Sequence, residues 1–333
     1  MRFKDVFGQE TIKKNLQRAI QTGRISHAYI LNGEKGMGKH DMAEAFAAAL
    51  LCERHGEDAC GECRNCRRVA ERNHPDVIWI RPQDKEKAIL AREIRERLNN
   101  DMAIRPYESD HKIYIIEEAH NLRREGQNAI LKTIEEPPEY GIVLLLADNL
   151  QGLLPTILSR CVKLDFVPEK DSKICARLEE RGILHDQASM LAAYALGNLG
   201  KAIRMAEDEE FIDLHSDVMD LIKNVSGYDD ADVLQRAEYL SEKYKGRLNE
   251  MIDLLEVWYR DVLLYKSTDR AEGLMLGSMG FQIRQHAKAQ SFRQLGNINE
   301  AIKIANERAR SKSADSSGRL ITEQLLLSIK ENS

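Results

Sequence analysis

Residues Ala28–His40 read "AYILNGEKGMGKH", in which a short apolar run leads directly into a glycine-rich loop. Its glycines allow backbone N–H groups to surround an anion, and the start of a following helix favours negative charge. Three residues match the pattern of a phosphate-binding loop between a strand and a helix, Gly33, Gly38 and Lys39, and Gly36 adds a further glycine to the loop. The stretch therefore predicts a phosphate-binding turn at the edge of a sheet. The alternative is a glycine-rich turn that binds nothing.

The last position of this pattern is normally a serine or threonine, whose hydroxyl binds Mg²⁺. His40 stands there instead. Imidazole is a poorer ligand than oxygen for this small, octahedral ion. We therefore expect some affinity for phosphate, but weak or absent ATP binding that depends little on Mg²⁺.

The first half of the chain alternates between short apolar runs and segments with helical periodicity. The runs are apolar on both faces, as expected for a parallel sheet that helices cover on both sides; they are Ala28–Leu31, Val77–Ile80, Ile113–Ile116, Ile142–Ala147 and Val162–Phe166. Helices are predicted between them at Thr11–Ile20, Met42–Leu51, Ile89–Leu98 and Gln127–Ile134. The pattern predicts an α/β domain that ends near residue 166.

After Pro168 the strand-like runs stop and the sequence reads as a series of helices. Several of them begin with Asp, Asn or Ser and end at glycine, which are common start and stop signals. The longest gap between predicted helices is residues 266–296. We predict a small helical domain over residues 167–210 and a larger one over residues 211–333.

The composition excludes some classes of protein. The 333 residues carry a net charge of −5, and only 6% are aromatic, which argues against a chain that binds nucleic acid by itself over a broad basic or stacking surface. The apolar runs are far shorter than the ~18 residues of a membrane helix. The first ten residues, "MRFKDVFGQE", have no apolar segment of the kind found in secretory signals, so none is expected. We expect a cytoplasmic protein with no membrane partner.

Four cysteines lie within fifteen residues, at Cys52, Cys60, Cys63 and Cys66. Cytosolic thiols stay reduced, so disulfides are not expected. Four thiolates at this spacing suit one tetrahedral Zn²⁺, and the site would be structural because no position is left open. An iron–sulfur cluster and four free thiols are the alternatives. We predict a zinc module over about residues 52–66.

The stretch "HKIYIIEEAH" places Glu117 and Glu118 at the end of a predicted strand. In phosphate-loop enzymes acidic residues there hold Mg²⁺ and polarise the attacking water. The first is usually aspartate, so Glu117 would shift the carboxylate by one methylene, whereas Glu118 occupies the position of the catalytic glutamate. The alternative is a pair of solvated acids at a strand end.

The stretch "LPTILSRC" places Arg160 at the end of a helix, just before the fifth predicted strand. An arginine here could act on the γ-phosphate bound by a neighbouring subunit, a role worth ~10³–10⁵ in rate where it has been measured. On the sequence alone, a structural salt bridge is the favoured interpretation.

Together these stretches resemble the bacterial clamp-loader family of AAA+ proteins, and within it the delta-prime group. The resemblance rests on "FGQETIKKNLQRAI", "SHAYILNGEKGMGK", the cysteine cluster, "NAILKTIEEPP" and "LLPTILSRC". It covers most of residues 1–165, and the second half resembles the family in helical character and size. It implies a RecA-like α/β domain over 1–166 with a zinc-binding insert, a helical lid over 167–210, and a C-terminal helical collar over 211–333.

The resemblance also implies roles for individual residues. Gly33, Gly38 and Lys39 would form the phosphate loop, and Glu117 and Glu118 the acidic motif. Asn149 lies near the sensor-1 position, and Arg160 matches the trans-acting arginine. The zinc ligands would be Cys52, Cys60, Cys63 and Cys66. Three departures concern metal or phosphate. They are His40, Glu117, and Gly200–Lys201 where active members carry a lid arginine.

These departures lead to the expectation of a non-hydrolysing, stator-like subunit without intrinsic ATPase activity. The family implies a hetero-pentamer with gamma/tau and delta subunits that loads the sliding clamp on primed DNA, with Arg160 serving a neighbouring ATPase site. The retained Lys39 and Glu118 favour the alternative of an ATP-hydrolysing, gamma/tau-like motor subunit. An unrelated phosphate-loop protein, such as a nucleotide kinase with a zinc insert, is a third possibility that leaves the helical half unexplained.

Overall fold

A computed structural model describes residues 1–82, 89–309 and 318–333 of the chain. The chain divides into two compact units, Met1–Glu169 and Lys170–Ser333. The predicted end of the α/β domain, near residue 166, lies close to the end of the first unit.

The first unit contains a five-stranded sheet in the order β2-β3-β4-β1-β5, with every pair parallel. The strands are β1 (Ala28–Asn32), β2 (Val77–Ile80), β3 (Lys112–Ile116), β4 (Gly141–Ala147) and β5 (Val162–Asp165). Each predicted strand is present to within one residue at either end. The prediction of a parallel sheet is confirmed.

Helices and short helical turns connect these strands. The α-helices are α1 (Glu10–Gln21), α2 (Lys39–Leu50), α3 (Arg64–Ala70), α4 (Ala91–Ile94), α5 (Arg124–Glu135) and α6 (Pro155–Leu158). A π-helical turn, Arg95–Asn100, continues α4, and 3₁₀ turns occupy Phe3–Asp5 and Ala119–Asn121. The helix predicted from Ile89 therefore begins two residues later and changes its winding.

Side chains of β1, β3 and β4 alternate between two buried layers, because successive residues of a strand point to opposite faces. Tyr29 and Leu31 pack with residues of α1, α2 and the cysteine segment. Ala28 and Ile30 pack on the other face with residues of α4, the π-helical turn and α5. Burial on both faces explains why these three strands read as continuous apolar runs. The same expectation is wrong for β5, which lies at the edge of the sheet and buries only Leu164.

The parallel arrangement places the carboxyl ends of all five strands at one edge of the sheet, where α/β proteins bind ligands. The glycine loop follows β1 there, Glu117 follows β3, and Asp148 follows β4. The fold therefore collects the predicted glycine loop and Glu117 at one edge, together with Asp148.

The second unit is helical, and none of residues 170–309 and 318–333 lies in a strand. The helices described there are α7 (Asp171–Glu179), α8 (His185–Tyr194), α9 (Leu199–Ala206), α10 (Glu209–Asn224), α11 (Asp230–Lys243), α12 (Leu248–Thr268), α13 (Gly280–Ala289), α14 (Phe292–Ala309) and α15 (Gly318–Glu331). Helix α13 was not predicted and lies in the gap between predicted helices at residues 266–296. The predicted order of a parallel-sheet α/β half followed by a helical half is confirmed. The division into lid and collar stays a prediction.

Across the described residues, no helix has both the length and the apolar character that crossing a bilayer requires.

Candidate functional site

The glycine loop joins β1 to α2, as the sequence predicts. Gly36 and Gly38 have φ values of +99° and +89°, a backbone region that favours glycine. A side chain at Gly33 is excluded for another reason, because its Cβ would lie 2.6 Å from the Cβ of Phe166. These three glycines are therefore required by the path of the chain itself.

Lys39 is buried, with 6% of its surface exposed, and its amine contacts other groups of the same chain. The Nζ atom donates to the carbonyl oxygens of Gly33 and Glu34 and lies 2.7 Å from Oδ1 of Asp148. An ammonium group has three hydrogens to donate, and these three acceptors match that number. The lysine that would bind a phosphate is thus held by its own protein.

Asp148 was not among the residues predicted from the sequence. Its backbone N–H donates to Nδ1 of His120 at 3.1 Å, which holds the turn after β4. The predicted residue, Asn149, is exposed, and its Oδ1 accepts from the N–H of Gly152 at 3.4 Å. The neighbouring position therefore supplies the group that contacts Lys39. Asp148 could have been found from the sequence as an acid directly after a buried strand, which is also the position of Glu117.

His40 and Glu117 face each other where a phosphate-loop enzyme would bind Mg²⁺. The Nδ1 atom of His40 lies 3.6 Å from Oε1 of Glu117. The imidazole ring stacks on Trp79, with ring centroids 5.8 Å apart and planes inclined by 3°. The Arg72 guanidinium lies 4.7 Å from the centroid of the Trp79 ring. Imidazole held by an aromatic ring does not supply the oxygen ligands that Mg²⁺ prefers. This arrangement does not fit the ion.

Glu118 adopts a left-handed backbone conformation, with φ +49° and ψ +40°. Its Oε2 atom accepts from the side-chain amide of Asn121 at 3.3 Å. The carboxylate is therefore engaged within its own turn. Its predicted role with an attacking water stays untested.

Arg160 follows α6 and leaves 41% of its side chain exposed. Its Nε atom lies 3.0 Å from Oε1 of Glu135, the last residue of α5, and Nη1 donates to the carbonyl of Thr156 at 3.1 Å. Both alternatives from the sequence therefore have a physical basis, since the arginine makes a salt bridge and is also accessible.

Lys201, one of the two residues that stand where the resemblance predicts a lid arginine, lies in α9 of the second unit. Its ammonium group makes an ion pair with the carboxylate of Asp253 in α12. The backbone N–H of Lys201 donates to Oδ1 of Asn198 at 3.0 Å, which caps the helix. The lysine therefore has a partner within its own unit.

The four predicted zinc ligands come together. The sulfur atoms of Cys52, Cys60, Cys63 and Cys66 all lie within 4.8 Å of one another, and those of Cys60 and Cys66 are 3.9 Å apart. Zinc–sulfur bonds of about 2.3 Å at tetrahedral angles separate sulfurs by about 3.8 Å. A cluster of several iron atoms would hold the thiolates farther apart. The set therefore fits a single tetrahedral ion such as Zn²⁺.

Backbone N–H groups point at these sulfurs. Glu62 and Cys63 donate to Cys60 Sγ at 3.4 and 3.3 Å, and Cys66 donates to Cys63 Sγ at 3.4 Å. Donation from Glu62 and Cys63 lowers the pKa of the Cys60 thiol to about 6, whereas burial raises the pKa of Cys66. Because the thiolate is the form that binds metal, the loop around Cys60 is already suited to that role.

Comparison with known proteins identifies the family. The family model described as "DNA polymerase III, delta subunit" matches residues 8–170. The DNA polymerase III subunit delta' of Bacillus subtilis is 30% identical over 312 residues, covering 91% of this chain and 91% of the relative. The tau subunit of the same organism is 30% identical over 299 residues, covering 82% of this chain but 52% of tau.

Among solved structures, a gamma subunit-related protein of DNA polymerase III from Thermotoga maritima aligns over 96% of this chain and 99% of its own, with 18% identity and a TM-score of 0.39. The similarity to subunit delta' runs through nearly the whole of both chains, beyond the region that the family model matches. The chain belongs to the delta-prime family of DNA polymerase III clamp-loader subunits.

Proposed function

We propose that this chain is a non-hydrolysing stator of a DNA polymerase III clamp loader and that it supplies Arg160 to the ATP site of a neighbouring subunit. The partners would be gamma/tau and delta subunits in a hetero-pentamer. That assembly would place the sliding clamp on primer–template DNA in the cytoplasm.

The observation that carries the proposal is the contact between Lys39 and Asp148. The lysine is buried, and the carboxylate lies 2.7 Å from its amine. A triphosphate would have to displace this carboxylate, and any carboxylate that remained nearby would repel it. The loop therefore keeps the shape of a nucleotide site, but the carboxylate of Asp148 is already paired with the Lys39 amine that would bind phosphate.

Two further features support a site that no longer hydrolyses ATP. His40 offers a ring nitrogen where a magnesium site has a hydroxyl oxygen, and that nitrogen lies 3.6 Å from the carboxylate of Glu117. In the helical unit, Lys201, one of the two residues expected in place of the lid arginine, is paired with Asp253. Metal, phosphate and lid contacts are thus all altered.

Arg160 differs from these residues because its side chain is accessible and can exchange its present partner for a phosphate group. Its ion pair with Glu135 is about half exposed on both sides, at 41% and 44%. Exposed pairs of this kind are worth about 0–1 kcal/mol, so exchange for a neighbour's phosphate costs little. The bidentate guanidinium suits that phosphate well.

Equilibrium titration of the purified full chain with a fluorescent ATP analogue, with and without Mg²⁺, tests whether the glycine loop still binds nucleotide. We expect weak or absent binding that Mg²⁺ changes little. Tight binding that requires Mg²⁺ would refute the argument from His40 and Glu117.

The second candidate is an ATP-hydrolysing motor of the gamma/tau type. Retention of Lys39 and Glu118 and the 30% identity to tau favour it. It predicts Mg²⁺-dependent ATP turnover by the isolated chain, which Lys39→Ala would abolish. No turnover by the wild-type chain excludes this candidate.

Asp148→Asn should strengthen nucleotide binding, because it removes the negative charge beside Lys39 while keeping the shape of the side chain. We expect affinity for the ATP analogue in the absence of Mg²⁺ to rise by about 10-fold, which corresponds to about 1.4 kcal/mol. Fluorescence titration of the variant and the wild type measures the change.

Asp165→Asn is the matched control for this variant. Asp165 ends β5 at the same edge of the sheet, and its Oδ1 accepts from Asn32 at 2.7 Å. It removes an equal charge without touching Lys39. If both substitutions raise the affinity for the ATP analogue equally, the gain comes from the lower net charge and not from the contact with Lys39. If Asp148→Asn leaves the affinity unchanged, the carboxylate does not block the loop.

A further inference from the structure

A second group of metal-binding side chains lies in the helical unit, apart from the four-cysteine cluster. Cys175 and Glu179 are one helical turn apart on α7, so they share a face of that helix. His185 is the first residue of α8, which follows after a short turn at Gly182 with φ +88°. The turn brings all three side chains together.

The three donor atoms form a compact triangle. The sulfur of Cys175 lies 3.8 Å from Oε1 of Glu179 and 3.9 Å from Nδ1 of His185, and the histidine and glutamate are in direct contact. All three atoms lie within 4.8 Å of one another. One sulfur, one nitrogen and one oxygen therefore converge on a single point.

We propose that Cys175, Glu179 and His185 form a binding site for a borderline divalent cation of the Zn²⁺ class. Zinc bonds of about 2.3 Å to sulfur and about 2.0–2.2 Å to nitrogen and oxygen separate tetrahedral donors by about 3.3–3.6 Å. The two sulfur distances exceed this range by only a few tenths of an ångström. Only the histidine–glutamate pair has to open to admit the ion.

The pattern of burial makes this small adjustment possible. Cys175 is 9% exposed and is fixed in the packing of α7, whereas the side chains of His185 and Glu179 are 75% and 41% exposed. The two exposed side chains can rotate towards an ion that the buried sulfur anchors. A thiolate and a carboxylate also balance the two charges of the cation.

A simple ion pair explains less of this arrangement. It accounts for the contact between His185 and Glu179, but not for a buried thiol within 4 Å of both partners. Three protein donors leave a fourth position of a tetrahedral ion for water or another ligand. The site should therefore bind metal more weakly than the closed four-cysteine cluster. A bound ion would link α7 to α8, since its ligands come from both helices.

Metal titration of the full chain tests the proposal. With Zn²⁺ or Co²⁺ in excess over an apo protein, the wild type should bind one more ion per chain than His185→Ala. Glu179→Gln should show the same deficit, with affinity at this site reduced by more than about 100-fold, since even outer-shell partners of metal ligands contribute about 10–100-fold. Because the comparison is a difference, it does not depend on how much metal the four cysteines hold.

Glu180→Gln is the matched control. Glu180 neighbours Glu179 at the end of α7 but pairs with Arg177 at 2.6 Å, so this variant should keep the extra ion. Co²⁺ gives a second readout, since the extra equivalent should add absorption from a single cobalt–thiolate bond that Cys175→Ser removes. Equal metal counts in the wild type, His185→Ala and Glu179→Gln would overturn the proposal, as would an extra ion without thiolate absorption.

Discussion

Arg160→Ala is expected to lower ATP hydrolysis at the adjacent site of a reconstituted clamp loader by ~10³–10⁵-fold, the range measured for arginine fingers. The reason is electrostatic, since a guanidinium directed at the γ-phosphate neutralises charge that develops as the phosphate leaves. Steady-state ATPase and clamp-loading assays on the assembly measure the effect. An assembly with several active sites would show the loss only at the site that this chain completes.

Arg160→Lys separates charge from geometry. Lysine keeps the positive charge but lacks the planar fork that binds two phosphate oxygens, so we expect it to recover only part of the rate. Glu135→Gln removes the present partner of Arg160 and should leave hydrolysis unchanged, because that ion pair is exposed. Arg105→Ala, at an exposed arginine elsewhere in the same unit, controls for loss of surface charge.

Lys39→Ala gives the sharpest contrast with Arg160→Ala. If the chain's own glycine loop does not hydrolyse ATP, this substitution should leave the ATPase rate of the assembly unchanged. Loss of activity in Lys39→Ala together with full activity in Arg160→Ala would reverse our proposal and favour a motor subunit. Loss in both variants would mean that the chain uses its own site as well as serving its neighbour.

Much of the first unit could be predicted because its signals are local. A strand buried on both faces must be apolar along its length, and a phosphate loop needs glycine at fixed spacings, so Ile113–Ile116 and Gly38 both follow from neighbouring residues. The four cysteines are equally local, since all lie within fifteen residues. In each case one short window contains the whole constraint.

The contacts that decide chemistry were harder to predict, because they join distant parts of the chain. Lys39 and Asp148 are 109 residues apart, and they meet only because β4 lies beside β1 in the sheet. The stacking of His40 on Trp79 likewise depends on the tertiary arrangement. The sequence suggested Asn149 by analogy, whereas strand order places Asp148 on the lysine.

Helix α13 was missed for a different reason. Its residues, Gly280–Ala289, mix polar and basic side chains, and only Ile283 and Ala287 are buried. Two apolar positions four residues apart give a weak periodic signal compared with α12, which buries residues along most of its length. Tertiary packing of a short segment therefore determined the helix.

Cys63→Ser is expected to remove the ion from the four-cysteine cluster and to destabilise the first unit. Even outer-shell partners of metal ligands contribute about 10–100-fold to affinity, so loss of a ligand should cost more than about 100-fold. Metal analysis should find one ion fewer per chain than in the wild type. Thermal unfolding should show a lower Tm, because metal binding contributes directly to folding.

Serine is an informative replacement because Cys63 is also the N-cap of α3, where its sulfur accepts from the N–H of Cys66 at 3.4 Å. Serine is a strong N-cap residue, so the variant keeps the cap and loses the soft ligand. Cys161→Ser, at a cysteine outside the cluster, controls for thiol loss. Wild-type protein treated with a chelator should unfold at about the temperature of Cys63→Ser.

Loss of the ion should also loosen the start of the chain. Asp58, between two of the ligands, accepts from the backbone N–H of Phe3 at 2.8 Å and of Lys4 at 3.2 Å, and Phe3 packs in the same core as Cys66. Hydrogen exchange at Phe3 and Lys4 should therefore quicken in Cys63→Ser and in chelator-treated wild type, but not in Cys161→Ser. Unchanged exchange and an unchanged Tm in Cys63→Ser would mean that the cluster folds without metal, since the N–H···S hydrogen bonds at Cys60 would then suffice to hold the loop.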